Sequence, residues 1–419
     1  MSGKKIWASV ATVVALGAVG GVAGTGYWVH DQLSDLEVKP GYVLPTAEQV
    51  LVPATPDPID RNALTATLQA LSDDPALGTF HARVSDGFTG EVLFDAHAAE
   101  PLTPASSTKV LTAASAIYTL GLDDTITTEV VRGTNPGEVV IKAAGDVWFS
   151  QETIDDLASQ IGDASAVFVD TSIWSGDKIM PGWDPDNIDA GYIAPLEPVM
   201  IHGGRIGDTT GDVPRSHTPA TDVAQALADQ LGAGTVGTTT APEGAEVIAS
   251  VESPELAERL AEMMKESDNV MAEAIGREVA LQRGADAPQA TLDILAEEGF
   301  DLTGVTLSDN SGLSTDNLIT PQLLDDILVR ATTEDELRPL LATLPVAGGE
   351  GTLTTRYGDL GGKGWVRAKT GTLTGVNALV GTVTSDRGNV YTFAFLANDA
   401  DINGARRAMD TLASALRDF

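Results

Sequence analysis

The sequence predicts a mixed α/β protein whose main domain is split by an inserted subdomain. Three observations carry this. An apolar run at helical spacing, Val110, Leu111, Ala114, Ile117 and Leu120, stops at Gly121, and a second helical segment opens after Ser253-Pro254-Glu255. Between them, residues 123–244 are rich in Asp, Gly and short strand-like runs. Toward the C-terminus, residues 365–374, 378–384 and 390–396 have the pattern of strands, and a helix follows over 402–416. With 419 residues and 43% apolar content the chain can bury a sizeable core.

The elements follow in order. After Lys4 and Lys5, residues 6–29 carry no charge, and at about 1.5 Å per residue they are long enough to span a hydrocarbon core of roughly 30 Å. Lysines before this segment and Asp31, Asp35 and Glu37 after it put the N-terminus inside and the remainder outside the cytoplasm. Residues 1–30 are therefore expected to be a single membrane anchor; a cleaved secretion signal is the alternative, and Gly21-Val22-Ala23 is a poor cleavage site. Pro40, Pro45, Pro53, Pro56 and Pro58 mark residues 31–62 as a stalk. Residues 63–122 and 245–419 are read as the main domain and 123–244 as the insertion, with strand-like runs at 128–131, 139–143 and 166–169 and a helical patch at 154–161.

Composition removes several functions. The chain has 25 Lys+Arg against 60 Asp+Glu, a net charge of −35, so nucleic acid is not an expected partner. It has no cysteine, which excludes disulfides, thiolate nucleophiles and Cys-ligated metals. Its histidines (30, 81, 97, 202, 217) form no His-x-x-x-His pair, which argues against a zinc peptidase.

Three motifs carry chemistry. Ser106 and Lys109 share a face at the first turn of the helix before Gly121, where helix N–H groups favour negative charge and a dry lysine can act as a base. Ser-x-x-Lys also occurs at Ser2/Lys5 and Ser175/Lys178, but neither copy has an apolar helix behind it. Ser267-Asp268-Asn269 stands at a helix–helix junction, where a hydroxyl and a carboxamide can relay a proton and grip an amide. A second copy, Ser308-Asp309-Asn310, runs into Ser311-Gly312-Leu313-Ser314 and has the character of a loop. Lys369-Thr370-Gly371-Thr372 lies on a strand, where lysine and threonine can bind a carboxylate and glycine lets a substrate backbone approach.

In this order the motifs resemble those of the penicillin-interacting serine enzymes. Pro181-Gly182-Trp183, Gly191-Tyr192-Ile193-Ala194-Pro195, Asn310-Ser311-Gly312-Leu313-Ser314 with Asn317, and Leu344-Pro345-Val346-Ala347-Gly348 with Gly351-Thr352-Leu353 and Arg356 narrow the resemblance. It is to the D-alanyl-D-alanine carboxypeptidase/endopeptidase family, the class C low-molecular-mass penicillin-binding proteins, over residues 65–419.

That resemblance implies a β-lactamase/transpeptidase-like domain of antiparallel sheet flanked by helices. It implies a serine DD-peptidase acting on peptidoglycan stem peptides in the cell envelope, acylated by β-lactams and needing no cofactor or metal. Ser106 would be the nucleophile, Lys109 its base, Ser267 the proton relay and Asn269 the holder of the peptide amide. Lys369, Thr370 and Thr372 would grip the terminal carboxylate, Gly371 would admit the substrate backbone, and the backbone N–H groups of Ser106 and Thr372 would form the oxyanion hole. Leu373 and Thr374 would line the pocket for the preceding side chain. An acidic residue after Trp183 would receive a diaminopimelate ammonium; Asp184, Asp186, Asn187 and Asp189 compete, a gapless reading lands on Asn187, and Asp186 is the carboxylate chosen. The interval from Ser106 to Ser267 implies one nested subdomain rather than two. A β-lactamase would need a water-positioning carboxylate that the sequence does not reveal. A non-catalytic wall-binding sensor would have lost Lys109 or the Lys369 motif, and neither is lost.

Overall fold

The computed structural model describes residues 57–419; the expected membrane segment and most of the expected stalk lie outside them. Among the described residues no helix is long and apolar enough to cross a membrane.

The chain begins with α1 (Arg61–Ser72), capped by the Asp60 carboxylate, which accepts from Ala63 N at 3.1 Å. This helix starts inside the segment assigned to the stalk, because Pro58 and Asp60 act here as its start signal. There follow β1 (Thr79–Asp86), β2 (Val92–Ala96), a 3₁₀ turn at Ala105–Thr108 and α2 (Lys109–Leu120). The next stretch holds β3 (Thr127–Arg132), β4 (Glu138–Lys142), β5 (Asp146–Phe149), α3 (Gln151–Ile161), β6 (Ala166–Asp170), β7 (Val199–Ile201), α4 (Pro219–Leu231), β8 (Thr235–Thr238) and β9 (Val247–Glu252). Helices α5 (Leu256–Glu266), α6 (Asn269–Arg283), α7 (Ala287–Glu297), α8 (Pro321–Thr333) and α9 (Pro339–Thr343) come next. The chain closes with β10 (Val366–Leu373), β11 (Val376–Thr384), β12 (Val390–Asn398) and α10 (Ile402–Ala415).

The main sheet runs β10-β11-β12-β1-β2 with every neighbour antiparallel. Its central strands are buried on both faces, and side-chain alternation sorts them between two cores. Ala378, Val380, Ala394 and Leu396 join one core with α2 and α5–α8, while Leu379, Phe393 and Phe395 join the other with α1 and α10. Because β11 and β12 serve both cores, they appear in sequence as continuous apolar runs rather than alternating ones.

The stretch after α2 makes a second five-stranded sheet, β8-β6-β4-β3-β9, with β4, β6 and β8 parallel and β3 antiparallel to both its neighbours. Helices α3 and α4 share its apolar core. The last strand of this sheet lies beyond residue 244, where the sequence reading ended the insertion. Only Ala249 and Val251 of β9 turn into the core while Val247 is exposed, so the strand carried too little apolar signal to be seen before α5. β5 and β7 form a separate parallel pair.

Candidate active site

Ser106 sits in the 3₁₀ turn and Lys109 is the first residue of α2, so the predicted helical pair exists with a tighter turn under the serine. That turn is held under pressure. Ala105 has φ +47°, a conformation costing a non-glycine residue about 1–3 kcal/mol. Two glycines permit its packing. A Cβ on Gly312 would come within 1.9 Å of Ala105 O, and one on Gly371 within 2.7 Å of Pro104 O. The loop after Asn310 and the strand β10 thus close on the serine from two sides.

Lys109 is wholly buried. Its Nζ lies 3.1 Å from Ser106 Oγ and donates to Asn269 Oδ1 at 2.8 Å and to Ser311 O at 2.7 Å. Burial pushes its pKa down to about 8, against the opposing pull of Asp309, Asp268 and Glu273. Lys369, equally buried, donates to Ser267 Oγ at 2.7 Å and to Thr370 O at 2.8 Å. Burial first and the charge of Lys109 second hold it well below the ordinary lysine range. The like-charge effect between the two lysines thus falls on Lys369 rather than on Lys109.

Ser267 is the left-handed C-cap of α5, at φ +59°, which turns its hydroxyl toward Lys369. Asp268 caps α6 through Met271 N and is locked by Arg205 and Arg215, both 2.6 Å from its Oδ2. The desolvation of this fully buried carboxyl is outweighed by the Arg215 and Arg205 guanidinium groups, which hold its pKa well below the ordinary value. Asn269 follows, its Nδ2 donating to Tyr192 O at 3.1 Å. Thr370 Oγ1 donates to Thr352 Oγ1 at 2.8 Å.

The second Ser-Asp-Asn copy is a structural pin. Asp309 accepts from Gly312 N, Asn317 Nδ2, Ser314 N and Trp183 Nε1. Glu273 accepts from Asn310 N and Ser311 N at 2.9 and 2.8 Å, fixing the carbonyl that Lys109 meets. Ser175 is exposed and Lys178 is paired with Glu197.

These groups meet in one cleft of about 730 Å³, whose walls include Ser106, Ser267, Asn269, Thr370, Thr372, Leu373 and Thr374. Lys109, Lys369 and Gly371 lie directly behind those walls. Asp186 is not brought in: it is exposed on a 3₁₀ turn, and the cleft is lined instead by the next residue, Asn187, and by Asp212. The reason is the turn itself, in which Asp184 caps Asp186 N and Trp183 anchors on Asp309, so the side chain facing inward is Asn187. Sequence reasoning missed Arg205, Arg215, Glu273 and Asp212. Glu273 alone left a signal, lying four residues after Asn269 on the same helical face.

The Asp268 cluster yields a prediction. Asp268→Asn leaves two buried guanidinium groups unneutralised and should cost about 3–5 kcal/mol, seen as a lower melting temperature at neutral pH. A folded-state pKa depressed below the unfolded value of about 3.9 gives stability that is present above that value and lost as pH falls toward the folded pKa. The wild-type advantage over Asp268→Asn should therefore shrink on acidification below about pH 4; an advantage constant with pH would contradict the charge argument.

Known proteins resemble the chain in sequence and in fold. A carboxypeptidase of Mycobacterium tuberculosis is 44% identical over 410 residues, covering 90% of this chain and 87% of the relative. The solved structure of penicillin binding protein 4 from Haemophilus influenzae superposes with a TM-score of 0.70 at 22% identity, covering 86% of this chain and 100% of that one. The same Haemophilus protein in complex with a β-lactam gives 0.63 at 21% identity, covering 84% and 100%. These two show the fold, with its antiparallel sheet flanked by helices. The D-Ala-D-Ala carboxypeptidase 3 (S13) family model matches residues 64–213 and 207–416. Matched along nearly its whole described length and close to a named carboxypeptidase, the chain belongs to that family and is a serine-type hydrolase.

Proposed function

We propose that Ser106 is the nucleophile of a D-Ala-D-Ala carboxypeptidase/endopeptidase acting on peptidoglycan stem peptides. The observation that carries this is the environment of Lys109, whose Nζ meets Asn269 Oδ1, Ser311 O and Ser106 Oγ and no carboxylate. A neutral amine has two N–H donors and one lone pair. Asn269 and Ser311 occupy the donors, so the lone pair faces the Ser106 hydroxyl.

The reaction follows. Lys109 takes the Ser106 proton as the Oγ–C bond forms at the carbonyl of the penultimate D-Ala, and backbone N–H groups of Ser106 and Thr372 receive the developing oxyanion. The C–N bond breaks, and the proton that Lys109 took is relayed through the Ser267 hydroxyl, which accepts from Lys369, to the departing amine, so that Lys109 and Ser267 both return to their resting forms. Water then cleaves the ester, returning Ser106 and a peptide shorter by D-Ala. A β-lactam amide enters the same path, but its leaving group stays tethered. The Haemophilus complex supports β-lactam binding in this fold. The acceptor for a side-chain ammonium is reassigned from Asp186 to Asp212, a carboxylate that lines the cleft together with Asn187 and is not, like Asp268, already paired with arginines. The uncharged residues 6–29 support an N-terminal anchor holding the enzyme at the outer face of the membrane, where its substrate lies.

Labelling, substitution, pH and substrate choice each test this reading. Mass spectrometry after penicillin treatment should place the adduct on Ser106. Ser106→Ala should lose both the adduct and D-Ala release, and Ser267→Ala should slow acylation by about 10²–10⁴-fold. Ser308→Ala should leave the acylation rate unchanged; a larger effect there than at Ser267 would reverse the roles of the two motifs. The acylation rate should rise with pH through about 8 as Lys109 loses its proton, then level off; a rate flat from pH 6 to 10 would remove Lys109 as the base. Peptides with a free side-chain amine should outpace N-acetylated ones, and Asp212→Asn, not Asp186→Ala, should erase the difference.

A further inference from the structure

Four arginines line the cleft: Arg205, Arg215, Arg356 and Arg406. Three are committed. Arg205 and Arg215 share Asp268, and Arg356 holds Asp410 through Nη2 at 2.6 Å and Nε at 3.1 Å. Arg406 is different. It rises from α10 to the cleft wall, where its Nη2 donates to Thr372 Oγ1 at 3.0 Å. Among the described residues no carboxylate lies within 4.0 Å of it, in a chain with 60 acidic residues. Another cation stands beside it, since Arg356, from the loop after Leu353, donates its Nη2 to Arg406 O at 3.2 Å. Partial burial first and the charge of Arg356 second weigh against the Arg406 cation, and the nearest opposing charge, Asp410, is already held by Arg356. A partly desolvated guanidinium in a cleft with no direct ion pair is a site for an anion, and its planar fork suits a carboxylate.

Its position says which anion. Arg406 touches Thr372, whose backbone N–H is assigned to the oxyanion hole, and Thr372 follows the Thr370–Thr352 hydroxyl pair by a short step along β10. The departing amine of the substrate must lie near this strand if Ser267 and Lys369 protonate it. From this we infer that Arg406 is a specificity residue that binds the carboxylate on the carbon bearing the leaving nitrogen, which in a stem peptide is the free C-terminus of D-Ala. The inference rests on the serine-peptidase reading and deepens it. It also sets a rule for cross-links: one with a free carboxylate at the equivalent carbon is a substrate, and one amidated there is a poor one.

The test compares the full-length enzyme, wild type, Arg406→Gln and Arg406→Lys, on an acylated tripeptide ending in D-Ala-D-Ala and on its C-terminal amide. Wild type should favour the acid in kcat/KM by about 10–100-fold, the loss expected for one charge-assisted hydrogen bond. Arg406→Gln should bring the acid-to-amide ratio close to one, and Arg406→Lys should restore part of it. If Arg406→Gln lowered both substrates alike and kept the ratio, Arg406 would be no more than a prop for Thr372 and the inference would fall. A wild type indifferent to amidation would also overturn it, while still forming the penicillin adduct on Ser106. Absence of that adduct would instead overturn the serine-peptidase reading, and this inference with it.

Discussion

The site depends on keeping one lysine amine out of water. Removing an ammonium from water carries a penalty of several kcal/mol, and proteins respond by pairing the charge or releasing its proton. Around Lys109 the nearest atoms are a carboxamide oxygen, a backbone carbonyl and a hydroxyl, while the carboxylates stand further back. That arrangement satisfies an amine without fixing it as a cation, and it leaves the serine facing a base whose pKa is near neutral.

Much of the surrounding structure holds those three oxygen atoms in place. Asn269 is placed by its neighbour Asp268, which two arginines clamp at the start of α6. The Ser311 carbonyl is placed by Glu273 and by the Asp309 pin, which also receives the Trp183 indole. Glu273 is itself buried and has its pKa pushed up to about 8 by desolvation and by Asp309, so it adds little negative charge near the lysine at neutral pH. The strained turn at Ala105 is pressed between Gly312 and Gly371. A strongly acidic chain thus concentrates buried basic groups at one cleft, where an anionic peptide end must be received.

The parts legible in sequence are those whose chemistry repeats at short, regular spacing. Ser106 and Lys109 are one helical turn apart, and the strand carrying Lys369 has an unmistakable pattern, so both could be placed before any fold was known. The short strand-like runs at 128–131, 139–143 and 166–169 were legible as strands of a second sheet, yet its last strand was not, because in β9 only Ala249 and Val251 are buried. Arg205 and Arg215 lie in a glycine-rich loop with no period, and nothing local ties them to an aspartate more than fifty residues away. The substrate-pocket carboxylate failed for a related reason. Which side chain of the 184–189 turn faces inward is decided by caps and by the Trp183 anchor, and these shift the inward position from Asp186 to Asn187.

The central claim is that burial among oxygen atoms lowers the pKa of Lys109 far enough for the amine to shed its proton just above neutral pH and act as the base for Ser106. The most direct measurement is a ¹⁵N NMR titration of the lysine Nζ groups in the unacylated enzyme, with Lys109 assigned by its disappearance in Lys109→Met. The account predicts a Lys109 midpoint close to 8, well below the ordinary value of 10.5. A midpoint at or above 10.5 would mean that Lys109 is a cation in the resting site, and would contradict its role as the group that takes the Ser106 proton.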